Sequence, residues 1–297
     1  YSEYIIPSIT HSRDLMKISI TELDDHLKKT ESGVRALRPD CEKKIVWASE
    51  SGVKSSTSVV FIHGFSATRF ECSPVIDMVA EKLQANLYFA RLRGHGQDGR
   101  ALGESSFDEF MEDTIEAIEI GKTIGDEVIV VGSSTGCSLI HVALGQGVRI
   151  KSAVYISPNF GPKPLIGHAL RLPGAKFLVP LVFGKKHSFI TKSAEHARCW
   201  TTSYPTMALF TIKETVLAAH QVDHRAIKAP IMMWFSDEDK VVNAKWTRRI
   251  ASMMGDNVTL HNPSLTEQDD SSCHGIIGDI MSPSQTSGAV DKLLNWL

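Results

Sequence analysis

Cysteine is scarce in this sequence, and long apolar runs are absent. No stretch reaches about 18 apolar residues, which excludes a membrane-spanning helix from the residues shown. No C-x-x-C pair occurs, so a structural zinc site is not expected. The cysteines are too few and too scattered for a disulfide framework; they are Cys41, Cys72, Cys137, Cys199 and Cys273. Their odd number leaves at least one free thiol, which favours a reducing, cytoplasmic compartment.

An excess of charge of either sign is also missing. The chain has 32 Lys and Arg against 34 Asp and Glu, a net charge of −2. Nucleic-acid binding is therefore not expected, and no G-x-x-x-x-G-K-[ST] nucleotide motif occurs. Because the sequence starts at Tyr1 without an initiator Met, a preceding export or membrane-tethering segment stays open as an alternative to a cytoplasmic location. No feature indicates an oligomeric state.

From Lys44 onward, short apolar runs alternate with amphipathic segments. The predicted strands are Ile45–Ala48, Ser58–Ile62, Leu87–Ala90, Glu127–Val131, Ala153–Ile156, Ile231–Phe235 and Val258–Leu260. The predicted helices are Pro74–Leu83, Phe107–Ile118, Gly136–Leu144, Ala244–Met254 and Ser287–Trp296. Short apolar runs bounded by Gly and polar residues are typical of a parallel sheet covered on both faces. The pattern predicts an α/β fold with a mostly parallel, doubly wound sheet.

Residues 158–222 interrupt this alternation, since they contain no predicted strand and only short helical or loop segments. Between residues 158 and 194 there is no Asp or Glu; the cations there are Lys163, Arg171, Lys176, Lys185, Lys186 and Lys192. The same stretch is rich in apolar residues, from Leu165 and Ile166 to Phe189 and Ile190. We interpret it as an inserted helical cap, apolar on one side and basic on the other. The predicted division is an N-terminal extension (1–43), a core (44–157 and 223–297) and the cap (158–222).

The pentapeptide Gly132-Ser133-Ser134-Thr135-Gly136 follows a predicted strand and precedes a predicted helix. A G-x-S-x-G in this context is typical of a nucleophile elbow, a strained turn that exposes the central serine. The flanking positions must be very small, because backbone and neighbouring strands crowd there. Ser134 holds the central place and is the candidate nucleophile.

A nucleophilic serine needs a base and a carboxylate that orients the base, and after such an elbow the chain order is serine, acid, histidine. The candidate acid is Asp239, in the loop after Ile231–Phe235, because the apolar Val241 and Val242 would anchor that loop. Asp237 and Glu238 are alternatives, and all three acids also fit a solvated acidic loop. The candidate base is His274, with His261 as a distant second. The run 267–272 before His274 is interpreted as a surface loop.

Acyl transfer also needs two backbone N–H groups that bind the developing oxyanion. One would come from Thr135, which follows the nucleophile. The other would come from Phe65, in the loop His63-Gly64-Phe65 after Ser58–Ile62. On this interpretation, His63 and His95 are buried, hydrogen-bonded scaffold residues rather than catalysts.

The ordered set of motifs resembles the α/β-hydrolase superfamily, and within it the monoglyceride-lipase and bacterial carboxylesterase branch. The motifs are His63-Gly64-Phe65, Arg93-Gly94-His95-Gly96, Gly132-x-Ser134-x-Gly136, Asp239-x-Val-Val and His274. The resemblance covers residues 44–297 and implies a triad of Ser134, Asp239 and His274, with Phe65 and Thr135 as oxyanion donors. The sequence departs from lipolytic relatives at Ser133, Thr135, Cys137, Phe235 and Ser236, which weakens any transfer of substrate.

These residues predict a serine hydrolase of carboxylic esters with a medium to long acyl chain, a small-molecule or lipid-like substrate. No metal or organic cofactor is required. Acyl transfer to an alcohol or thiol, amide hydrolysis, and a cofactor-free lyase or haloperoxidase-like reaction are alternatives on the same scaffold. So is a non-catalytic binding protein of this fold, although such proteins usually lose a triad member. The basic cap would contact anionic lipid heads or, alternatively, only keep an apolar lid in solution.

Overall fold

A seven-stranded sheet organises the part of the chain that the computed structural model describes, residues 18–163, 170, 172 and 174–297. Its strands are β1 (Lys44–Val46), β2 (Ser55–Ile62), β3 (Asn86–Phe89), β4 (Gly125–Ser133), β5 (Ser152–Ile156), β8 (Ile231–Trp234) and β9 (Val258–His261). Two further strands, β6 (Lys186–Ser188) and β7 (Ser203–Pro205), form a separate pair. The sheet order is β1-β3-β2-β4-β5-β8-β9, and only β1 runs antiparallel to its neighbour. The predicted mostly parallel sheet is confirmed.

Helices connect the strands. In the described residues they are α1 (Leu23–Ser32), α2 (Val75–Lys82), α3 (Gly99–Glu104), α4 (Phe107–Ile124), α5 (Thr135–Gly145), α6 (Ala175–Phe183), α7 (Ala194–Cys199), α8 (Ala208–Gln221), α9 (Ala244–Met254) and α10 (Thr286–Trp296). The start of α4 is fixed by a capping box, in which Ser106 accepts from the Glu109 N–H and the Glu109 carboxylate accepts from the Ser106 N–H. This reciprocal pairing satisfies two donors that a helix start leaves open.

Both faces of the sheet are buried, because successive residues of a strand point to opposite sides. On β2, Val60 and Ile62 join a cluster under α4, α5 and α9. Val59 and Phe61 join a second cluster under α2 and α10. This two-sided covering is the doubly wound arrangement that the continuous apolar runs predicted.

The N-terminal segment, residues 18–43, packs against the sheet. Leu23 and Leu27 of α1 enter the cluster that contains Val60. At the end of α1, buried Glu31 accepts two hydrogen bonds from buried Arg91, at 2.6 Å from Nε and 2.8 Å from Nη2. Residues 18–43 therefore form part of the hydrophobic core and of the buried ion pair beside the sheet.

Arg38 connects this segment to residues 198–201. Its Nη1 donates to the carbonyl oxygens of Arg198, at 2.8 Å, and Trp200, at 2.9 Å. The Thr201 N–H in turn donates to the Ser66 carbonyl, in the loop after β2, at 2.7 Å. Three chain segments far apart in sequence therefore meet around residues 198–201.

The segment between β5 and β8 contains α6, α7, α8 and a separate antiparallel pair of β6 and β7. The expectation that no strand occurs in residues 158–222 was therefore wrong. These two strands are three residues long, and sequences such as Lys-His-Ser carry no apolar alternation that would reveal them. The apolar Leu165 and Ile166 and the cation Arg171, all assigned to the cap, lie outside the described residues.

Among the helices of the described ranges, none has the length and apolarity needed to cross a membrane.

Removal of the Glu31 carboxylate is expected to leave the Arg91 guanidinium buried without its partner. Glu31→Ala should therefore lower the free energy of unfolding by about 3–5 kcal/mol. Urea denaturation followed by circular dichroism measures the loss. The control is Glu104→Ala, which breaks the exposed Arg100–Glu104 pair and should cause no comparable loss. Equal effects of the two variants would contradict a structural role of the Glu31–Arg91 pair.

Candidate active site

Ser134 lies in the sharp turn between β4 and α5. Its φ of 47° is in the left-handed region, where a residue with a side chain is strained. A Cβ at Gly136 would overlap the carbonyl oxygen of Ile62 and lie 2.8 Å from that of His63. The glycine therefore lets the start of α5 pack against the end of β2. The turn has the geometry of the elbow that the pentapeptide predicted.

The structure brings Ser134, His274 and Asp239 into one chain of hydrogen bonds. Ser134 Oγ lies 3.0 Å from His274 Nε2, and His274 Nδ1 lies 2.7 Å from Asp239 Oδ2. In the neutral histidine, Nδ1–H donates to the carboxylate and Nε2 accepts from the serine hydroxyl. All three residues come from turns or loops that follow parallel strands, β4, β8 and β9, and so they meet at the carboxyl edge of the sheet.

Of the three acidic candidates in the loop after β8, only Asp239 is buried and bonded to His274. Asp239 is buried, and its Oδ1 accepts from the N–H groups of Val241, at 2.7 Å, and Val242, at 2.9 Å. Asp237 instead forms an exposed ion pair with Arg248. Glu238 is exposed as well. Of the two valines expected to anchor the loop, Val242 is buried and Val241 is half-exposed.

The loop that carries His274 is held by Asp270. This buried carboxylate accepts from the backbone N–H groups of His274, at 3.2 Å, and Gly275, at 2.8 Å. It also pairs with Lys192, from the segment between β5 and β8. Burial alone would raise the pKa of Asp270, but the Lys192 ammonium, the Ser272 hydroxyl and the backbone N–H groups hold it well below its usual range.

The interpretation of residues 267–272 as a surface loop holds for the exposed Glu267, Gln268 and Ser271, but not for the two aspartates. Asp269 and Asp270 are both buried, and each organises hydrogen bonds within the loop. A run of polar residues is the usual signature of a solvated loop, so the sequence carried no signal for this. His261, the second candidate for the base, lies at the end of β9 with its ring against Trp234 and takes no part in the Ser134 hydrogen bonds.

Several negative groups act on His274. Burial lowers the pKa of its imidazole, but the charge and hydrogen bond of Asp239 and the charges of Glu71 and Asp270 outweigh this. The pKa of His274 is consequently raised above the value of about 6.5 that is usual for histidine. The site therefore stabilises the imidazolium that forms when a histidine takes a proton from serine.

Two backbone N–H groups beside Ser134 lack an acceptor within the part of the chain that the structure describes. Those of Phe65 and Thr135 donate to none of the described residues. A Cβ at Gly64 would lie 3.1 Å from Ser134 Cβ, so the turn that carries Phe65 touches the serine directly. The geometry fits a pair of oxyanion donors.

His63 fixes this turn, as expected of a scaffold residue. Its Nδ1–H donates to the Gly64 carbonyl at 2.9 Å, and its Nε2 accepts from the Leu92 N–H at 3.2 Å. Burial lowers the pKa of His63 to about 4, so the ring stays neutral at neutral pH. His95 is also buried, its Nδ1 lies 3.1 Å from the Arg93 carbonyl oxygen, and its ring contacts His63.

Glu71 is a further acidic group at the site that sequence reasoning did not single out. It lies in the short 3-10 helix Arg69–Cys72, and its Oε2 accepts from the Gly64 N–H at 2.6 Å. Burial raises the pKa of Glu71, although the Gly64 N–H, His274 and the Ser133 hydroxyl oppose the effect. No motif includes this position, so only the folded structure relates it to Ser134.

No cluster of three or more His, Cys, Asp or Glu side chains in the described ranges is arranged to hold a metal ion.

The fold and this arrangement define an α/β hydrolase, and sequence comparison agrees. Residues 59–271 match the alpha/beta hydrolase family, and the chain belongs to that family. A comparison with curated proteins finds no match.

Solved structures of lipolytic enzymes and esterases have a similar fold. A structure from work on LipS and LipT, two metagenome-derived lipolytic enzymes, is 18% identical with a TM-score of 0.66, and the match covers 88% of this chain and 98% of that one. A soluble variant of monoglyceride lipase from Saccharomyces cerevisiae is 14% identical with a TM-score of 0.60, covering 86% and 90%. Est1E from Butyrivibrio proteoclasticus with bound ferulic acid is 16% identical with a TM-score of 0.55, covering 86% and 97%. At these identities, the likeness shows the fold.

The hydrogen bond between Asp239 and His274 predicts a measurable change in histidine titration. Asp239→Asn removes the negative charge nearest the imidazole, so the pKa of His274 should fall by about one unit or more. Titration of the histidine ring nitrogens by NMR measures it directly. Asp237→Asn is the matched control and should leave the pKa unchanged, because Asp237 faces Arg248 at the surface. A larger effect of the control would place the acid at residue 237.

Proposed function

We propose that this protein is a serine hydrolase that cleaves carboxylic esters through an acyl-enzyme. The observation that carries the proposal is the continuous hydrogen-bond chain from Ser134 through His274 to Asp239, in a member of the alpha/beta hydrolase family. The likeness of the fold to lipolytic enzymes and esterases supports ester bonds as the target.

In the first half-reaction, His274 Nε2 takes the proton from Ser134 as Oγ attacks the ester carbonyl. The carbonyl oxygen becomes an oxyanion, which the N–H groups of Phe65 and Thr135 bind. Asp239 holds the imidazole in the required tautomer and stabilises the imidazolium. When the tetrahedral intermediate collapses, His274 gives its proton to the alkoxide, and an alcohol leaves.

In the second half-reaction, water attacks the acyl-serine. His274 takes a proton from this water, the same two N–H groups bind the second oxyanion, and the proton returns to Ser134 Oγ as the acid leaves. Transfer to an alcohol or thiol in place of water uses the same steps, and an amide would enter by the same first step. Product analysis in the presence of an added alcohol separates hydrolysis from transfer.

The acyl group meets apolar surroundings in this proposal. Phe65, one of the two oxyanion donors, packs against a cluster formed by α3 and the segment between β5 and β8. Its ring lies 5.3 Å from that of Tyr204, and Leu209 and Phe210 belong to the same cluster. We therefore propose that residues 158–222 form a cap over the site and that the substrate carries a medium to long acyl chain.

Serine-directed labelling and a series of esters test this function. Turnover on p-nitrophenyl esters should increase with acyl length to about eight carbons or beyond, because the chain is buried against apolar side chains. Ser134→Ala should reduce turnover by about 10⁴-fold or more. A fluorophosphonate should label Ser134, as read by mass spectrometry.

Ser133→Ala is the matched control, and it should still be labelled at Ser134. Activity confined to acetate would keep the serine mechanism and contradict the long acyl chain. An enzyme that is neither labelled nor active would contradict the serine hydrolase and favour a binding protein of this fold.

A lipid surface is the partner that the outer face of the cap fits. On α6, Phe177 is 86% exposed and Leu181 is 82% exposed, and Ile190, two residues after β6, is 96% exposed. Apolar side chains this exposed are unusual on a soluble monomer and mark an interaction surface. We call these three residues, together with Leu178 and Val182, the apolar cap face.

Charge favours an anionic lipid surface as the occupant of the apolar cap face. Lys176, Lys185 and Lys186 flank it and are exposed, and no Asp or Glu occurs between residues 158 and 194. Not every cation of this stretch faces outward: Lys163 donates to the Asp239 carbonyl oxygen, and Lys192 pairs with Asp270. The remaining lysines each contribute about 1 kcal/mol beside anionic lipid.

Vesicle sedimentation tests the membrane contact. The double variant Phe177→Ser/Leu181→Ser should lose binding to vesicles both with and without phosphatidylserine, because it removes the apolar anchors. Lys185→Gln/Lys186→Gln should lose only the phosphatidylserine-dependent, salt-sensitive part. Val53→Ser, another exposed apolar position remote in sequence, is the control. Absence of vesicle binding would contradict the proposed lipid contact. A dimer that the double variant Phe177→Ser/Leu181→Ser dissociates would show instead that a second copy of the chain covers the apolar cap face.

A further inference from the structure

Glu71 lies behind the oxyanion turn, and its carboxylate contacts that turn at its tightest point. Oε2 accepts from the Gly64 N–H at 2.6 Å, one residue before Phe65, whose N–H is the proposed oxyanion donor. The ideal Cβ position of Gly64 lies 2.8 Å from Glu71 Oε1 and 3.1 Å from Ser134 Cβ. The glycine thus lies between the carboxylate and the serine, and a side chain there would push against both.

The charges around His274 come from three separate elements. Asp239 approaches from the loop after β8, Asp270 from the histidine's own loop, and Glu71 from the 3-10 helix after β2. Asp270 is paired with Lys192. The groups that act on Glu71 are the Gly64 N–H, the Ser133 hydroxyl and His274 itself. Burial raises the pKa of the Cys72 and Cys137 thiols, and the charge of Glu71 raises it further.

A carboxylate in this position is expensive unless a positive charge faces it. The reaction proposed above supplies one, since His274 becomes an imidazolium each time it takes a proton. Burial raises the pKa of Glu71 and the charge of His274 opposes this, so the anionic form of Glu71 is favoured most when His274 is protonated. Such a pairing stabilises the transition state more than the resting enzyme.

We propose that Glu71 is a positioning residue with two separable effects: it fixes the Gly64–Phe65 turn that presents one oxyanion donor, and its charge stabilises protonated His274. The proposal rests on the serine hydrolase function. It assigns to the site a second carboxylate that never touches the substrate and acts through the turn and the base.

Three substitutions separate the two effects. Glu71→Gln keeps an oxygen that accepts from the Gly64 N–H and removes the charge. Glu71→Asp keeps the charge but shortens the side chain by one methylene group, so the carboxylate no longer reaches the Gly64 N–H. Glu71→Ala removes both. Glu81→Gln, at an exposed position of α2, removes one negative charge away from the site and is the control.

The pH dependence of ester hydrolysis measures the effect of the Glu71 charge on His274. Turnover needs neutral His274, so the acid limb of kcat/KM follows the pKa of this histidine. Loss of a nearby negative charge lowers that pKa, so the acid limb should move to lower pH in Glu71→Gln and Glu71→Ala, but not in Glu71→Asp or Glu81→Gln.

The magnitude of kcat measures how well Glu71 fixes the Gly64–Phe65 turn. Glu71→Asp and Glu71→Ala should lose roughly 10- to 100-fold in kcat with little change in KM, somewhat less than removal of a whole oxyanion donor costs. Glu71→Gln should retain most of kcat. A merely structural role would lower the active fraction, counted by fluorophosphonate labelling, without moving the acid limb.

An acid limb that stays in place in Glu71→Gln would overturn the electrostatic effect. Full kcat in Glu71→Ala would overturn the effect on the turn. NMR titration of His274 in the same variants needs no substrate. If the wild-type protein hydrolyses no ester, the proposed function fails, whereas the shift of the His274 pKa in Glu71→Gln still decides the charge effect of Glu71.

Discussion

The close packing of α5 against the end of β2 is the constraint on which the site depends. It is possible only because Gly136 has no side chain to overlap the carbonyl oxygens of Ile62 and His63. This contact forces Ser134 into a left-handed turn and sets it against Gly64. Both free backbone donors, Phe65 and Thr135, then lie beside the serine. Parallel pairing of β5, β8 and β9 brings the loops of Asp239 and His274 to the same edge.

Electrostatics at this edge are arranged around one imidazole. Asp239, Asp270 and Glu71 all favour its charged form, whereas two lysines of the segment between β5 and β8 contact the loops that hold it. Lys163 binds the backbone of Asp239 and Lys192 binds Asp270. The segment between β5 and β8 is therefore bonded to both loops that carry Asp239 and His274, so a displacement of that segment would change the geometry of this pair.

Local patterns allowed much of the fold to be predicted. The β4 run, the glycines of the elbow and the amphipathic face of α4 each carry their signal within a few residues. The position of Asp239 was also predictable, since its own loop provides the donors at Val241 and Val242. The roles of Glu71 and Asp270 were not, because Glu71 itself lies outside any motif and Asp270 pairs with Lys192, which is 78 residues away in the sequence. The same applies to the pairing of β6 with β7, which short polar strands do not reveal.

The hydrogen bonds of Arg38 have a consequence for protein engineering. Because the first strand, β1, starts at Lys44, this residue is the obvious place to shorten the chain. A chain that starts at Lys44 would lose Arg38, whose guanidinium donates to the carbonyl groups of Arg198 and Trp200. It would also lose α1 and with it Glu31, the partner of Arg91. Fusions and tags that leave residues 18–43 intact preserve these contacts. The smallest unit that keeps these contacts therefore begins before the first strand of the sheet.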